Sequence, residues 1–203
     1  TAIVPGATDN VIPVKPIDGF VNNWDRMCER IVQHTGAVKI GIVGAGAGGV
    51  ELTLSVQYRL QKMLSDAKLD NTPLEFHLFT DKNDILVTHN RFVRNKFHRV
   101  LDARGIHTHL NHEVSSVQDG GLQCGNGEYY ELDEILWVTM ASAQAWLGEA
   151  GLDVDDEGFV KVNDTLESIS HPGIFAAGDV AHVLKHPRPK SGVFAVRQGP
   201  PLS

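Results

Sequence analysis

The chain has 203 residues, 42% of them hydrophobic and 21% charged, with a formal net charge of −7. That acidic balance, with no run of lysines and arginines, argues against nucleic acid as the main partner. No apolar stretch reaches the roughly 18–20 residues of a membrane-spanning helix, no signal peptide is visible, and the widely separated Cys28 and Cys124 form neither a dithiol redox centre nor a zinc site, which fits two reduced thiols in a cytoplasmic protein.

From the N-terminus, residues 1–17 carry Pro5, Pro13 and Pro16 and read as an extended connection rather than a packed helix. Asp18 is placed to cap a helix over 19–34, where Phe20, Trp24, Met27 and Ile31 recur near helical spacing; Gly36 ends it. The apolar run 38–43 predicts a core strand buried on both faces of a parallel sheet. It leads into Gly44, Gly46 and Gly49, the G-x-G-x-x-G spacing, with Gly48 beside the last of them. In such a turn the first glycine lets the chain leave the strand sharply. The second lets the backbone approach a diphosphate, and the third lets the next helix pack closely on the strand. The helix start then offers N–H groups and a partial positive charge. A tight strand-to-helix turn without a ligand could use the same glycines, but the strand and helix on either side favour a nucleotide site.

The next segment sets two periodicities in conflict. Val50, Leu52, Leu54, Val56, Tyr58 and Leu60 alternate with polar residues as a strand would, yet a dinucleotide turn requires a helix, which is expected over 48–64. On it the apolar positions split into two stripes: Val50, Leu54, Tyr58 and Gln61 on one, and Leu52, Val56, Leu60 and Met63 on the other. Such a helix is expected to be covered by its own sheet and by a second domain; in a separated piece one stripe would be left open, favouring self-association as a homodimer.

Residues 65–73 form a polar connection, 74–80 a second strand, and Asp81-Lys82-Asn83-Asp84 its exit loop. A basic amphipathic helix follows over 90–104 and a third strand over 106–110. Short strands at 114–117, 122–124 and 129–132 are separated by Asp119-Gly120-Gly121 and Asn126-Gly127, turn signals that predict a small β-meander. An apolar strand over 134–139, a charged irregular stretch over 151–163 and a short apolar strand over 174–177 complete the pattern.

Few side chains stand out as chemical. Thr80 and Asp81 fall where an acid at the end of the second Rossmann strand meets the adenosine ribose, although farther from the glycines than the usual ~20 residues. Asp81 favours NADH; Lys82 beside it could instead meet the 2′-phosphate of NADPH, and both could be loop charges facing water. Glu51, near the helix start, could orient a nicotinamide or merely complement the helix dipole. His107, His109 and His112 allow a metal site on paper, but no carboxylate or thiol spacing completes it except Glu113; an ordinary strand-end cluster is the expectation. No Gly-x-Ser-x-Gly anchors a hydrolase.

Ile174-Phe175-Ala176-Ala177-Gly178-Asp179-Val180-Ala181, taken with the glycine turn, resembles the two-dinucleotide-domain flavoproteins of the pyridine nucleotide–disulphide oxidoreductase superfamily, which includes type II NADH dehydrogenases. Within it, Trp137-Val138-Thr139, residues 141–147 and residues 185–199 are most similar to the branch sometimes fused to selenophosphate synthetase. The resemblance covers nearly the whole chain. It implies a segment from a FAD domain over 1–35, an NAD(P)-binding domain over 36–148 and a return into the FAD domain over 149–203. It further implies that Thr139 and Met140 lie at the NAD(P) cleft, that Gly178 and Asp179 meet FAD, with Asp179 on the ribityl chain, and that Gln198 and Gly199 neighbour the flavin ring.

Three departures qualify that pattern. The family's opening FAD glycine motif does not occur here, and the chain opens on Thr1, so a piece of a longer protein is expected. Met140 stands where many members have glycine, and its longer side chain would narrow the cleft. The redox cysteine pair of the disulphide reductases is missing.

The expectation is therefore an α/β protein: a Rossmann-like NAD(P)-binding domain with a parallel sheet, an inserted β-meander and partial FAD-domain segments. In its parent it would pass hydride from NAD(P)H, with NADH preferred, to FAD and on to a small-molecule or quinone acceptor. Catalysis lies in the cofactors, so no catalytic side chain and no metal is assigned. Cytoplasmic location with peripheral membrane contact is compatible with the sequence. The alternative is a non-enzymatic redox sensor regulating a fused or partner enzyme such as selenophosphate synthetase.

Overall fold

The run Val38–Val43 (β2) is apolar at nearly every position because it sits at the centre of a parallel sheet and is covered on both sides. This is seen in a computed structural model that describes residues 4–15, 17–69, 71–138, 143–188, 190 and 192–202. The chain divides into two units, Thr1–Thr139 and Met140–Ser203.

In the first unit β2 pairs in parallel with Leu74–Phe79 (β3) on one side and Glu134–Trp137 (β8) on the other. Ile106–His109 (β4) and Ile12–Pro13 (β1) form the edges, giving the order β1-β8-β2-β3-β4. Alternation along the strands sorts the side chains by face. Ile40, Ile42, Phe76, Leu78 and Leu136 join a core with Met27 and Ile31 of helix Ile17–Gln33 (α2), Val50, Val56, Leu60 and Leu64 of Ala47–Asp66 (α3), and Leu101 of Arg91–Ala103 (α4). Val43, Phe79, Ile135 and Trp137 point the other way. They pack on the antiparallel meander Val114–Gln118 (β5), Gly121–Cys124 (β6) and Tyr129–Glu131 (β7). The two hairpin turns use Gly120 and Gly127 at φ +81° and +90°, as their sequence signals predict.

Several expectations need correction. Residues before α2 are not a bare extended connection. Ala7–Asn10 forms a single helical turn (α1) with Ala7 fully buried, and β1 is an edge strand, a place where the missing N–H of Pro13 is tolerated. α2 starts at Ile17, so Asp18 lies inside its first turn instead of at the cap. The two stripes assigned to α3 do not hold. The buried positions are Gly49, Val50, Thr53, Val56, Gln57, Leu60 and Leu64, while Tyr58 is exposed and Leu52, Leu54 and Met63 pack partly against the same core. Steps of four residues drift around a helix of 3.6 residues per turn, and mixing steps of three and four keeps to one face. Two polar side chains enter that face because the backbone satisfies them: Thr53 Oγ1 donates to the Gly49 carbonyl at 2.7 Å, and Gln57 Nε2 to the Arg104 carbonyl at 3.0 Å.

The second unit is small. Val160–Val162 (β9), inside the stretch expected to be irregular, pairs in parallel with Ala181–Val183 (β10). Both strands pack against Leu147 of helix Trp146–Glu149 (α5) and against Leu166. Residues 174–177 do not form the expected strand; Phe175 makes one isolated bridge to Glu167. Local apolarity marked a segment that needs burial, but the neighbouring chain offers only a single bridge. Gly192–Gln198 (α6) follows, and a 3-10 turn over Pro200–Leu202 closes the described part of this unit.

At the β4 edge of the first sheet, imidazoles accumulate. His77 faces His107 across the β3–β4 pair, and the rings stack at 5.0 Å; His109 stacks on Phe79 at 4.5 Å and meets the edge of Tyr130 from β7 at 4.7 Å. His77 Nδ1 and His109 Nε2 lie 3.0 Å apart. Among the described residues no three His, Cys, Asp or Glu side chains are arranged to hold a metal ion. Burial, with the neighbouring imidazoles, pushes His109 down to about 4 and also lowers His77. His112 moves up, chiefly because its ring donates to the Leu110 carbonyl at 2.7 Å, with Glu128 on its other nitrogen.

Arg30 on α2 reaches Glu134 on β8 with two bonds, Nε at 2.6 Å and Nη2 at 2.7 Å, and the carboxylate is 8% exposed. Arg30→Met leaves that carboxylate without its cation and is expected to cost about 2 kcal/mol in urea unfolding. Acidification is expected to weaken the fold. His77 and His109 bind protons less readily folded than unfolded, so stability present above pH ~6.5 is lost as the pH falls from there towards 4, and His112 offsets part of the loss. His109→Phe is expected to recover on the order of 1–2 kcal/mol of the acid-induced loss, a figure discounted for the cluster's partial exposure.

Candidate functional site

The site is the turn that carries the chain from β2 into α3, at the C-terminal edge of the sheet. Gly44 has φ +114°, a conformation few other residues accept, and its N–H donates to the Phe79 carbonyl at 2.9 Å, which pins the turn to β3. Gly49 follows inside α3; a Cβ there would lie 1.7 Å from the Gly44 carbonyl oxygen, so only glycine permits this approach of helix to turn. Gly46 is different. It is the N-cap of α3, makes no side-chain cap, and a Cβ there would meet nothing within 4 Å. Gly48 is similarly open, with Val138 Cγ1 3.9 Å away.

The first helical hydrogen bond of α3 is Val50 N–H to the Gly46 carbonyl, at 3.0 Å. The N–H groups of Ala47, Gly48 and Gly49 precede it and point out of the helix start, where the dipole is positive and the first turn carries no acid. A shaped opening without side chains, lined by such donors, fits the diphosphate of a dinucleotide. The site also lies where neighbouring strands diverge in chain order, with β8 to one side of β2 and β3 to the other.

The other expected residues sort themselves around this turn. Glu51 is exposed just past the first turn of α3. Thr80, just past β3, is buried: its N–H donates to His109 and its hydroxyl accepts from the Lys82 N–H. Asp81 and Lys82 are exposed and paired, Nζ to Oδ2 at 2.6 Å, which holds the ammonium above its ordinary pKa. Thr139 and Met140, the latter expected to narrow the cleft, lie outside the described residues. In the second unit, Gly178 at φ +72° donates its N–H to Gln198 Oε1 at 2.6 Å. This brings Gly178 and Asp179 together with α6, whose last residue Gln198 is followed by Gly199. The two thiols are far from chemistry: burial pushes Cys124 up to about 11 and raises Cys28 as well.

Sequence reasoning passed over the segment that walls this turn. Leu86 donates its N–H to the Ala45 carbonyl at 2.9 Å and is buried, with φ +50°. Asp84 before it accepts from the Ile85 N–H, Arg94 and His98. An aspartate in a polar loop carries no periodic signal, and its two partners lie on a helix whose register only the fold reveals.

A family model described as pyridine nucleotide-disulphide oxidoreductase matches residues 3–199. An NADH dehydrogenase-like protein of Mycobacterium tuberculosis is 27% identical over 197 residues, spanning 88% of this chain and 44% of that protein. The type II NADH:quinone oxidoreductase of Haemophilus influenzae is 29% identical over 154 residues, 73% of this chain and 34% of that protein. The chain thus spans less than half the length of these relatives. Its fold is similar to that of a water-forming NADH oxidase from Lactobacillus brevis solved with NADH bound, with a TM-score of 0.69, 20% identity, and coverage of 98% of this chain and 42% of that one. The glycine turn, the parallel sheet and the match along almost the entire sequence agree: the chain belongs to the pyridine nucleotide-disulphide oxidoreductase family.

Proposed function

We propose that this chain is the NAD(P)H-binding part of a flavin-dependent oxidoreductase, whose full protein passes hydride from NAD(P)H to FAD and on to an acceptor. The observation that carries this reading is the opening at Gly46, bare of side chains and set against the free start of α3, while Gly49 next to it is sterically forced. The bound nicotinamide and flavin supply hydride chemistry themselves, so the chain contributes position and charge. The N–H groups at 47–49 hold the diphosphate. Asp81, at the end of β3, accepts from the adenosine ribose hydroxyls and favours NADH; its pairing with Lys82 makes that preference moderate. Glu51 stands where it can orient the nicotinamide end. In the parent protein Gly178, Asp179, Gln198 and Gly199 would face FAD, and their convergence in the second unit supports that reading.

The acceptor is a small molecule or a quinone, a proposal supported by the name of the Haemophilus relative. Among the described residues no helix is long and apolar enough to cross a membrane; peripheral membrane contact is a separate proposal. Self-association as a homodimer is a further proposal, supported by exposed apolar side chains such as Tyr58 and Phe92.

Calorimetry on the chain tests the binding reading: NADH is expected to bind more tightly than NADPH, and Asp81→Ala to narrow the gap. Gly46→Val is expected to abolish binding while changing stability by less than about 1 kcal/mol. Gly49→Ala is expected to cost about 2–4 kcal/mol because backbone must move. Equal coenzyme binding by wild type and Gly46→Val would remove the site from the glycine turn. In the full-length protein carrying FAD, NADH is expected to bleach the flavin absorption with turnover; binding without bleaching would instead favour a sensor.

A further inference from the structure

The segment between β3 and α4 is tied to the coenzyme turn in an unusual way. It begins at Asp81, on the side where the adenosine half of a dinucleotide is met, and within five residues returns to the glycine turn, where Leu86 donates its N–H to Ala45. Leu86 makes that bond at φ +50°, a backbone conformation that costs a side-chain-bearing residue of order 1 kcal/mol, and it persists only if neighbours over-determine it. Ile85 and Leu86 are both buried, which supplies part of the constraint.

The rest comes from Asp84. Its Oδ1 accepts from the Ile85 N–H at 2.8 Å and from His98 Nε2 at 2.6 Å, and its Oδ2 accepts from Arg94 Nη1 at 2.9 Å. Arg94 and His98 stand one turn apart on α4, so one helix face grips one carboxylate. The bond to His98 and the neighbouring Arg94 hold that carboxyl below its usual range. Helix α4 is itself fixed by the Asn90 side chain, which accepts from the Val93 N–H at 3.0 Å. A continuous path therefore runs from α4 through Asp84 to the Ile85–Leu86 peptide and onto the carbonyl of Ala45, between the two glycines of the turn.

We propose that Asp84, clamped by Arg94 and His98, is a positioning residue for the adenosine half of the coenzyme. It sets where the 81–86 segment lies against the glycine turn, and so the width of the adenosine side of the site. It touches no reacting atom and acts through Leu86 and Ala45. This rests on the NAD(P)H-binding reading given above.

The test titrates the 203-residue chain by calorimetry with NADH and with ADP-ribose, which keeps the adenosine half and lacks the nicotinamide. Asp84→Ala is expected to weaken both by the same factor, about tenfold. The Leu86 amide is expected to exchange with deuterium at least about tenfold faster, a local opening that binding must reverse. Asp84→Asn, which keeps an acceptor for the Ile85 N–H, is expected to recover part of both effects. Arg30→Met, which weakens the fold elsewhere, serves as control and is expected to leave affinity unchanged. Wild-type affinity in Asp84→Ala, or a loss for NADH without the matching loss for ADP-ribose, overturns the proposal. If Asp84→Ala does not fold, the pair Arg94→Lys and His98→Gln is read on the same scale, each expected to give about a threefold loss. A wild-type chain that binds neither ligand overturns the coenzyme reading itself, an outcome distinct from normal binding with an indifferent Asp84.

Discussion

The contact on which the rest depends is the approach of the Gly49 backbone to the Gly44 carbonyl. No side chain fits between them, since a Cβ would stand 1.7 Å from the oxygen. Because the helix comes so close, its first N–H groups project over the C-terminal edge of the sheet instead of into packed side chains. Because Gly44 is pinned to Phe79, that projection has a fixed place relative to β3 and its exit loop. The core serves this placement. Val50, Val56, Leu60 and Leu64 seat α3 along its length on Ile40, Ile42, Phe76 and Leu78, so the helix cannot slide along the strand that feeds it.

Electrostatics are arranged in the same sense. The start of α3 carries no acid, and the nearest exposed acid at the strand ends, Asp81, is partly neutralised by Lys82. A diphosphate therefore meets the helix dipole without a competing carboxylate in the first turn. Elsewhere in the unit, charge is used for fastening. Glu134 is buried only because Arg30 reaches it with two bonds, and Asp84 is shared by two side chains of α4. The histidine edge of the sheet is the opposite case, in which four imidazoles gather beside one exposed carboxylate, Glu128.

The glycine turn, the central strands and the meander could be read from the sequence because each carries a local signature: an apolar run, a fixed glycine spacing, or paired turn residues. The burial pattern of α3 could not. Its alternating apolar positions imitate a strand, and the polar Thr53 and Gln57 that replace them on the buried face find partners only once the backbone is folded. β1 escaped notice for a related reason. Two residues, one of them proline, have no periodicity, and they become a strand only because β8 offers an edge. In the site, Gly44, Gly46 and Gly49 were visible and Asp84 was not, since its role is defined by residues ten and fourteen positions away on a helix. The strand expected at 174–177 failed for want of a neighbour, not for want of apolar side chains.

The strand order has a consequence for how this unit assembles. β2, β3 and β4 follow one another in sequence and in space, so three of the five strands can pair as they are synthesised. β8, the last strand to emerge, slots between β2 and β1, which were made first, and the Arg30–Glu134 bridge joins positions 104 residues apart. Until that insertion, one flank of β2 remains an unpaired hydrogen-bonding edge and the N-terminal strand has nothing to dock on. Completion is thus a late, non-local event whose loop-closure entropy must be met before any reward arrives, and the nascent chain carries that open edge from the time β2 is made until β8 arrives.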